Sequence, residues 1–132
     1  MQALKFDAAA RDVELVPRGW ASREDVLRAL RRATALVFPS LWDEPLSRVL
    51  LEALALGTPI AAMDTGGTRE IVANDDSGLL VKDVDGLAQA VRQLVEDAAL
   101  RERLSSGARV RARSFAPETL LPRYEAIYRR LS

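Results

Sequence analysis

Three short runs in this chain carry no charged residue: Ala35 to Phe38, Pro59 to Met63 and Leu79 to Val81. A further run, Val13 to Val16, contains Glu14 but is β-prone and closed by Pro17 and Gly19. Uninterrupted apolarity over so few residues suits strands covered on both faces, as in a parallel sheet. Stretches of helical period separate the runs. Short strands alternating with amphipathic helices predict an α/β fold, a Rossmann-like parallel sheet with right-handed crossovers.

The helix signals are local and physical. Ser22 offers an N-cap with Asp25 three residues on, and Val26, Leu27, Leu30 and Ala33 follow at helical spacing. A second helix starts at Pro45, with Leu46, Val49, Leu50, Ala53 and Leu54 on one stripe. Gly57 ends it, and Pro59 prevents continuation. Thr68 to Ala73 predicts a short helix, stopped by the turn residues Asn74 to Gly78. Asp83 or Asp85 caps a helix carrying Leu87, Val91, Leu94 and Val95. Leu100, Leu104 and Val110 mark another, with Gly107 a weak point inside it. Pro117 sits at a first helical position, and Pro122 should delay or kink the last helix. Residues 1 to 12 carry no strong period, although Ala8 to Ala10 favour helix. The arginines at 101, 103, 109, 111 and 113 read as a solvated helix face.

Composition narrows the chemistry. A chain of 132 residues has room for a single domain with a real core. Its 19 basic and 19 acidic residues give a formal net charge of +0, which argues against nucleic acid as a partner. No apolar run approaches the roughly 18 to 20 residues of a transmembrane segment. The N-terminus is no secretory signal, and a cytoplasmic location is the default. Cysteine and histidine are absent. A thiolate or histidine metal site, a histidine base and a Ser-His-Asp triad are therefore excluded for this chain alone. Carboxylates, Arg, Lys, hydroxyls and backbone groups remain.

Those groups concentrate in Ala35 to Glu70. In open α/β sheets ligands bind beyond the carboxyl ends of strands, where helix N-termini point. The helix after Glu44 would present backbone N–H groups from roughly Leu46 to Val49, and its dipole favours an anion such as a diphosphate. Glu44 and Glu52 lie eight positions apart, roughly 12 Å along a helix axis at about 1.5 Å per residue. Two carboxylates so placed could accept from hydroxyls at both ends of a nucleoside diphosphate sugar. An acidic residue before a helix is equally a cap, and Arg48 is spaced to pair with both glutamates. Spacing alone leaves both readings open. Trp20 and Trp42 are likewise either packing residues or base-stacking platforms.

The order of the pieces adds to this. Pro39-Ser40, Glu44, Glu52, Gly57-Thr58-Pro59, Gly66-Gly67, Glu70 and Gly78 to Val81 follow one another as in the retaining glycosyltransferases of family four. The chain resembles the C-terminal, donor-binding half of their GT-B fold along nearly its whole length. The resemblance implies that Glu44 contacts the transferred sugar and stabilises charge at the reacting carbon. It implies that Glu52 holds the ribose hydroxyls, that the turn Leu46-Ser47-Arg48 offers N–H groups to sugar and diphosphate, and that Gly19-Trp20 lies near the base. Ser47 stands where the family often has glycine. No metal or other cofactor is implied; the nucleotide sugar is the substrate.

The resemblance also implies missing parts. The family's N-terminal acceptor domain has no counterpart in residues 1–132, which read as a single partial domain. The first two strands of the donor domain, with their phosphate-gripping Arg and Lys, are missing too. In the family's strand order they lie between Val13–Val16 and Ala35–Phe38, so this chain alone would have a broken sheet. The expectation is a truncated chain, a proteolytic fragment or a split protein completed by a second chain, inactive in isolation. A homodimer by edge pairing or domain swapping is a further way to repair the sheet. The alternative is a catalytically silent GT-B-like module for assembly or weak nucleotide binding. A sugar-nucleotide epimerase shares the architecture but not the two-glutamate pattern.

Overall fold

A computed structural model describes residues 11–131. The helical tendency of Ala8 to Ala10 lies outside the described residues. Three parallel strands, β1 (Leu36–Phe38), β2 (Ile60–Met63) and β3 (Leu79–Val81), pair in the order β1-β2-β3. The helices are α1 (Arg23–Arg32), α2 (Arg48–Leu56), α3 (Thr68–Ile71), α4 (Val84–Glu96), α5 (Ala98–Ala112) and α6 (Pro117–Leu131). A 3-10 turn, Arg113–Phe115, joins the last two.

The central strand organises the packing. All four residues of β2 are buried, and their side chains alternate between two cores. Ile60 and Ala62 meet Leu50, Leu54, Ile71 and Val72 on one face. Ala61 and Met63 meet Leu79, Leu87, Leu94 and Leu104 on the other. The two alanines keep the sheet thin enough for helices to close on both sides. The sequence reading of an α/β parallel sheet holds.

Helix ends follow the sequence signals in most places. Ser22 caps α1, accepting from Asp25 N at 3.2 Å. Asp83 caps α4, accepting from Gly86 N at 2.7 Å, and Asp97 caps α5, accepting from Leu100 N at 2.9 Å. Gly57 closes α2 at φ 71°, the left-handed backbone expected there.

Five expectations are corrected. Val13–Val16 forms no strand, since among the described residues no strand lies beside it to pair with; its residues are exposed. The helix expected from Pro45 begins only at Arg48, so Leu46 precedes it and is exposed. Gly107 is no weak point: a Cβ there would lie 2.0 Å from the Asp76 carbonyl, so only glycine lets α5 pass the 74–78 turn. Val110 faces solvent rather than the core. Helix α6 runs through Pro122 without interruption.

The arginines of α5 also do more than face solvent. Arg101 donates to the Leu94 and Val95 carbonyls at 2.8 and 2.9 Å, satisfying the end of α4. Arg103 donates to Asp75 O, Arg109 to Leu56 O, and Arg111 to the carbonyls of Glu70 and Ile71. Arg101, Arg109 and Arg111 thus meet carbonyls at the C-terminal ends of helices, and Arg103 one within the 74–78 turn.

Helix α6 stands apart. None of its residues is buried.

Candidate functional site

Two loops close on each other beyond the carboxyl ends of β1 and β2. Residues 39–47 leave β1, and residues 64–67 leave β2. Thr65 Oγ1 donates to Ser40 O at 2.9 Å, Gly66 N to Asp43 Oδ1 at 3.1 Å, and Gly67 N to Glu44 O at 2.9 Å. The contact leaves no room for side chains. A Cβ on Gly67 would sit 2.1 Å from Pro45 O, and Gly66 adopts φ 49°. The Gly66-Gly67 pair is thus a close-approach surface as well as a turn. It fixes the backbone of Asp43 to Pro45 just before α2.

The start of α2 is open. Its N-cap, Ser47, makes no side-chain capping bond, and the first turn holds no acidic residue. Every other helix longer than one turn with a resolved N-cap in the body of the protein, α1, α4 and α5, is capped by its own Ser or Asp side chain. The amides of Arg48, Val49 and Leu50 have no acceptor among the described residues. These are three aligned donors at the positive end of a helix dipole, an arrangement suited to an anion. The set is shifted by about two residues from the expected Leu46 to Val49. Ser47 is buried and takes φ −87°, so its backbone does not require glycine.

The carboxylates part company. Glu44 is half-buried beside this open turn, and its side chain has no partner among the described residues. Glu52 lies within α2 with a side chain 17% exposed. Its partner is not Arg48, as the spacing allowed, but Arg23 at the start of α1, with Nε 3.1 Å from Oε1. Arg48 is exposed and forms no ion pair among the described residues. Sequence reasoning missed Arg23, because a contact across 29 positions leaves no local signal. It also missed Asp43 and Thr65 as the clasp between the loops.

A groove of about 920 Å³ opens along the free edge of β1. Gly19, Trp20, Val26, Leu36, Val37 and Val49 are among its walls. Val49 also belongs to the first turn of α2, so the groove runs up to the open helix start. Trp20 and Trp42 are both exposed, so neither is a core residue. Among the described residues, no group of three or more acidic, His or Cys side chains could hold a metal ion. No helix among them is long and apolar enough to cross a membrane.

Comparison with known proteins agrees with this architecture. D-inositol 3-phosphate glycosyltransferase of Nocardioides sp. is 39% identical over 111 residues, 83% of this chain and 24% of that protein. Glycogen synthase of Mycobacterium tuberculosis is 41% identical over 98 residues, 73% of this chain and 23% of that protein. The chain thus spans about a quarter of the length of these relatives. Among solved structures, sucrose-phosphate synthase from Thermosynechococcus elongatus superposes with a TM-score of 0.81 at 30% identity, covering 98% of this chain and 33% of that one. The fold is the Rossmann-like C-terminal half of a GT-B glycosyltransferase. The sequence profile of the glycosyl transferases group 1 matches residues 11–111, and the chain belongs to that family.

Proposed function

We propose that this chain is the donor-binding part of a retaining glycosyltransferase, which moves a sugar from a nucleotide sugar to an acceptor hydroxyl. The observation that carries the reading is the uncapped start of α2, held in place by the clasp between the 39–47 and 64–67 loops. Donor phosphates accept from the amides of Arg48, Val49 and Leu50, within the turn that includes Leu46 and Ser47. Glu44 faces the transferred sugar and stabilises positive charge as the bond to the diphosphate breaks. Glu52 accepts from the ribose hydroxyls, and the base lies in the groove beside Gly19 and Trp20. The anion is neutralised by the helix start and by basic groups on another segment, without a metal.

The acceptor site belongs, on this reading, to an N-terminal domain, and the two strands that would cover β1 belong to the rest of the donor domain or to a second chain. On this reading the polypeptide alone binds donor but transfers no sugar. Its donor pool is that of the cytoplasm. The rival reading is a silent module for assembly, favoured by the open groove at the β1 edge.

Calorimetric titration with UDP, GDP and ADP tests donor recognition. One of them binds at up to millimolar concentration, and Glu52→Ala weakens it. No binding of any nucleotide sinks donor recognition and leaves the assembly module.

A further inference from the structure

Arg23 breaks a local rule. It is the first residue of α1, where the helix dipole disfavours a cation. Residues that break such rules are candidates for a functional role. Glu24 and Asp25 in the same turn pair with Arg28, whereas Arg23 pairs at a distance: Nε donates to Glu52 Oε1 at 3.1 Å. The Arg23 side chain is 71% exposed, against 17% for Glu52. The guanidinium therefore reaches in from solvent to a carboxylate set between two helices.

The contact is single. Glu52 Oε2 and both Nη groups of Arg23 have no partner among the described residues. The pair also borders the groove. Val26 and Val49 line it, and Arg23 and Glu52 lie three residues from each on the same helix faces. The pair is thus about one turn from the groove wall.

We infer that Arg23 is a positioning residue for the ribose site, a role that rests on the donor-binding reading above. It holds Oε1 and so fixes the orientation of the carboxylate, leaving Oε2 free to accept from a ribose hydroxyl. A free glutamate must lose side-chain rotamer freedom when it binds. One already fixed loses less, which raises affinity without adding a ligand contact. Lysine cannot reproduce the arrangement, because it lacks the directional Nε–H of a planar fork.

The test uses whichever of UDP, GDP or ADP the chain binds best, together with its 2′,3′-dideoxy counterpart. Wild type prefers the ribonucleotide by about tenfold, the scale of a hydrogen bond to a charged group. Arg23→Ala weakens the ribonucleotide by about three- to tenfold and leaves the dideoxy form within about twofold. Glu52→Ala abolishes the preference, and adding Arg23→Ala to it changes nothing more. Arg23→Lys recovers only part of the loss. A thermal midpoint within a few degrees of wild type, as for a surface pair, shows that folding is intact.

Three results overturn this role while leaving donor binding standing. They are an unchanged preference in Arg23→Ala, an equal loss for both nucleotides, or additive effects of the two alanine substitutions. A wild type that binds no nucleotide overturns the donor reading and this role together.

Discussion

Leu79–Val81 and Val13–Val16 are both short and β-prone, the second interrupted by Glu14, yet only the first is a strand. Leu79–Val81 lies beside β2 with Met63 paired to Val81, and Leu79 is 7% exposed. Val13 and Val16 are 56% and 54% exposed and pair with no strand among the described residues. Propensity is nearly the same in the two runs; the neighbour is not. A strand in a parallel sheet is a property of the pair, since its backbone groups need partners that its own segment cannot supply. On the β3 side, which is covered, the edge strand is packed by Leu87, Leu94 and Leu104 of the two long helices α4 and α5. The side from β1 outward is an edge with a groove.

The largest effects should fall on the covered side. Leu54 is fully buried under β2, and Leu54→Ala should cost about 2 to 5 kcal/mol in chemical denaturation, through lost burial and a residual cavity. Leu15→Ala on the open side should change stability by less than about 0.5 kcal/mol. Comparable losses at the two positions would mean that the N-terminal segment packs in solution and that the contrast between the sides is false.

Gly67→Ala tests the place where covered and open regions meet. Its Cβ would overlap Pro45 O, so the two loops must separate or shift. A destabilisation of about 1 to 3 kcal/mol is expected, as for other overpacked sites. Nucleoside diphosphate affinity should fall further than that of a distant variant of equal stability, such as Ala108→Gly in α5, because the clasp sets the start of α2. If both variants lose affinity equally, the clasp is scaffold only.

A cap tests the same framework at smaller scale. Asp83→Ala removes the acceptor of Gly86 N at the start of α4 and should cost about 1 kcal/mol. Ser47→Ala at the start of α2 removes no capping bond, so its effect should be near zero. A loss at Ser47 equal to that at Asp83 would mean that α2 is capped in solution and is not an open anion site.

These contrasts mark what the sequence made legible. The parallel sheet, the caps at Ser22 and Asp83 and the glycine end at Gly57 were all readable, because period, cap and breaker act over a few residues. The helix start was misread at Pro45, since proline suits a first helical position but also suits the extended loop that the clasp holds here. The partner of Glu52 was not legible for a related reason. Arg48 had the spacing, but Arg23 had the geometry, and only the packing of α1 on α2 brings it near. The arginines of α5 looked like a solvated face because their acceptors are backbone carbonyls, which carry no sequence signature. The order of Pro39-Ser40, Glu44, Glu52 and Gly66-Gly67 marked the region of the site, while its hydrogen bonds became visible only in three dimensions.

The smallest effect is also the most direct probe of the open edge. Leu36 N donates to Pro59 O, so alternation along β1 turns the Val37 amide outward, away from β2. Amide exchange should rank Ile60 to Met63 slowest, with protection approaching that of global unfolding, since all four are buried in the central strand. Val13 to Val16 should exchange at nearly the rate of an unfolded peptide, and Val37 should lie much nearer to them than to Phe38, its neighbour in the same strand. That last difference, between two consecutive residues of β1, depends only on which way each amide points. Adding a polypeptide that pairs a strand with β1 should slow Val37 and leave Ile60 to Met63 unchanged. If Val37 is already as protected as Phe38 in the chain alone, the edge is covered, and a self-paired dimer becomes the simplest account of it.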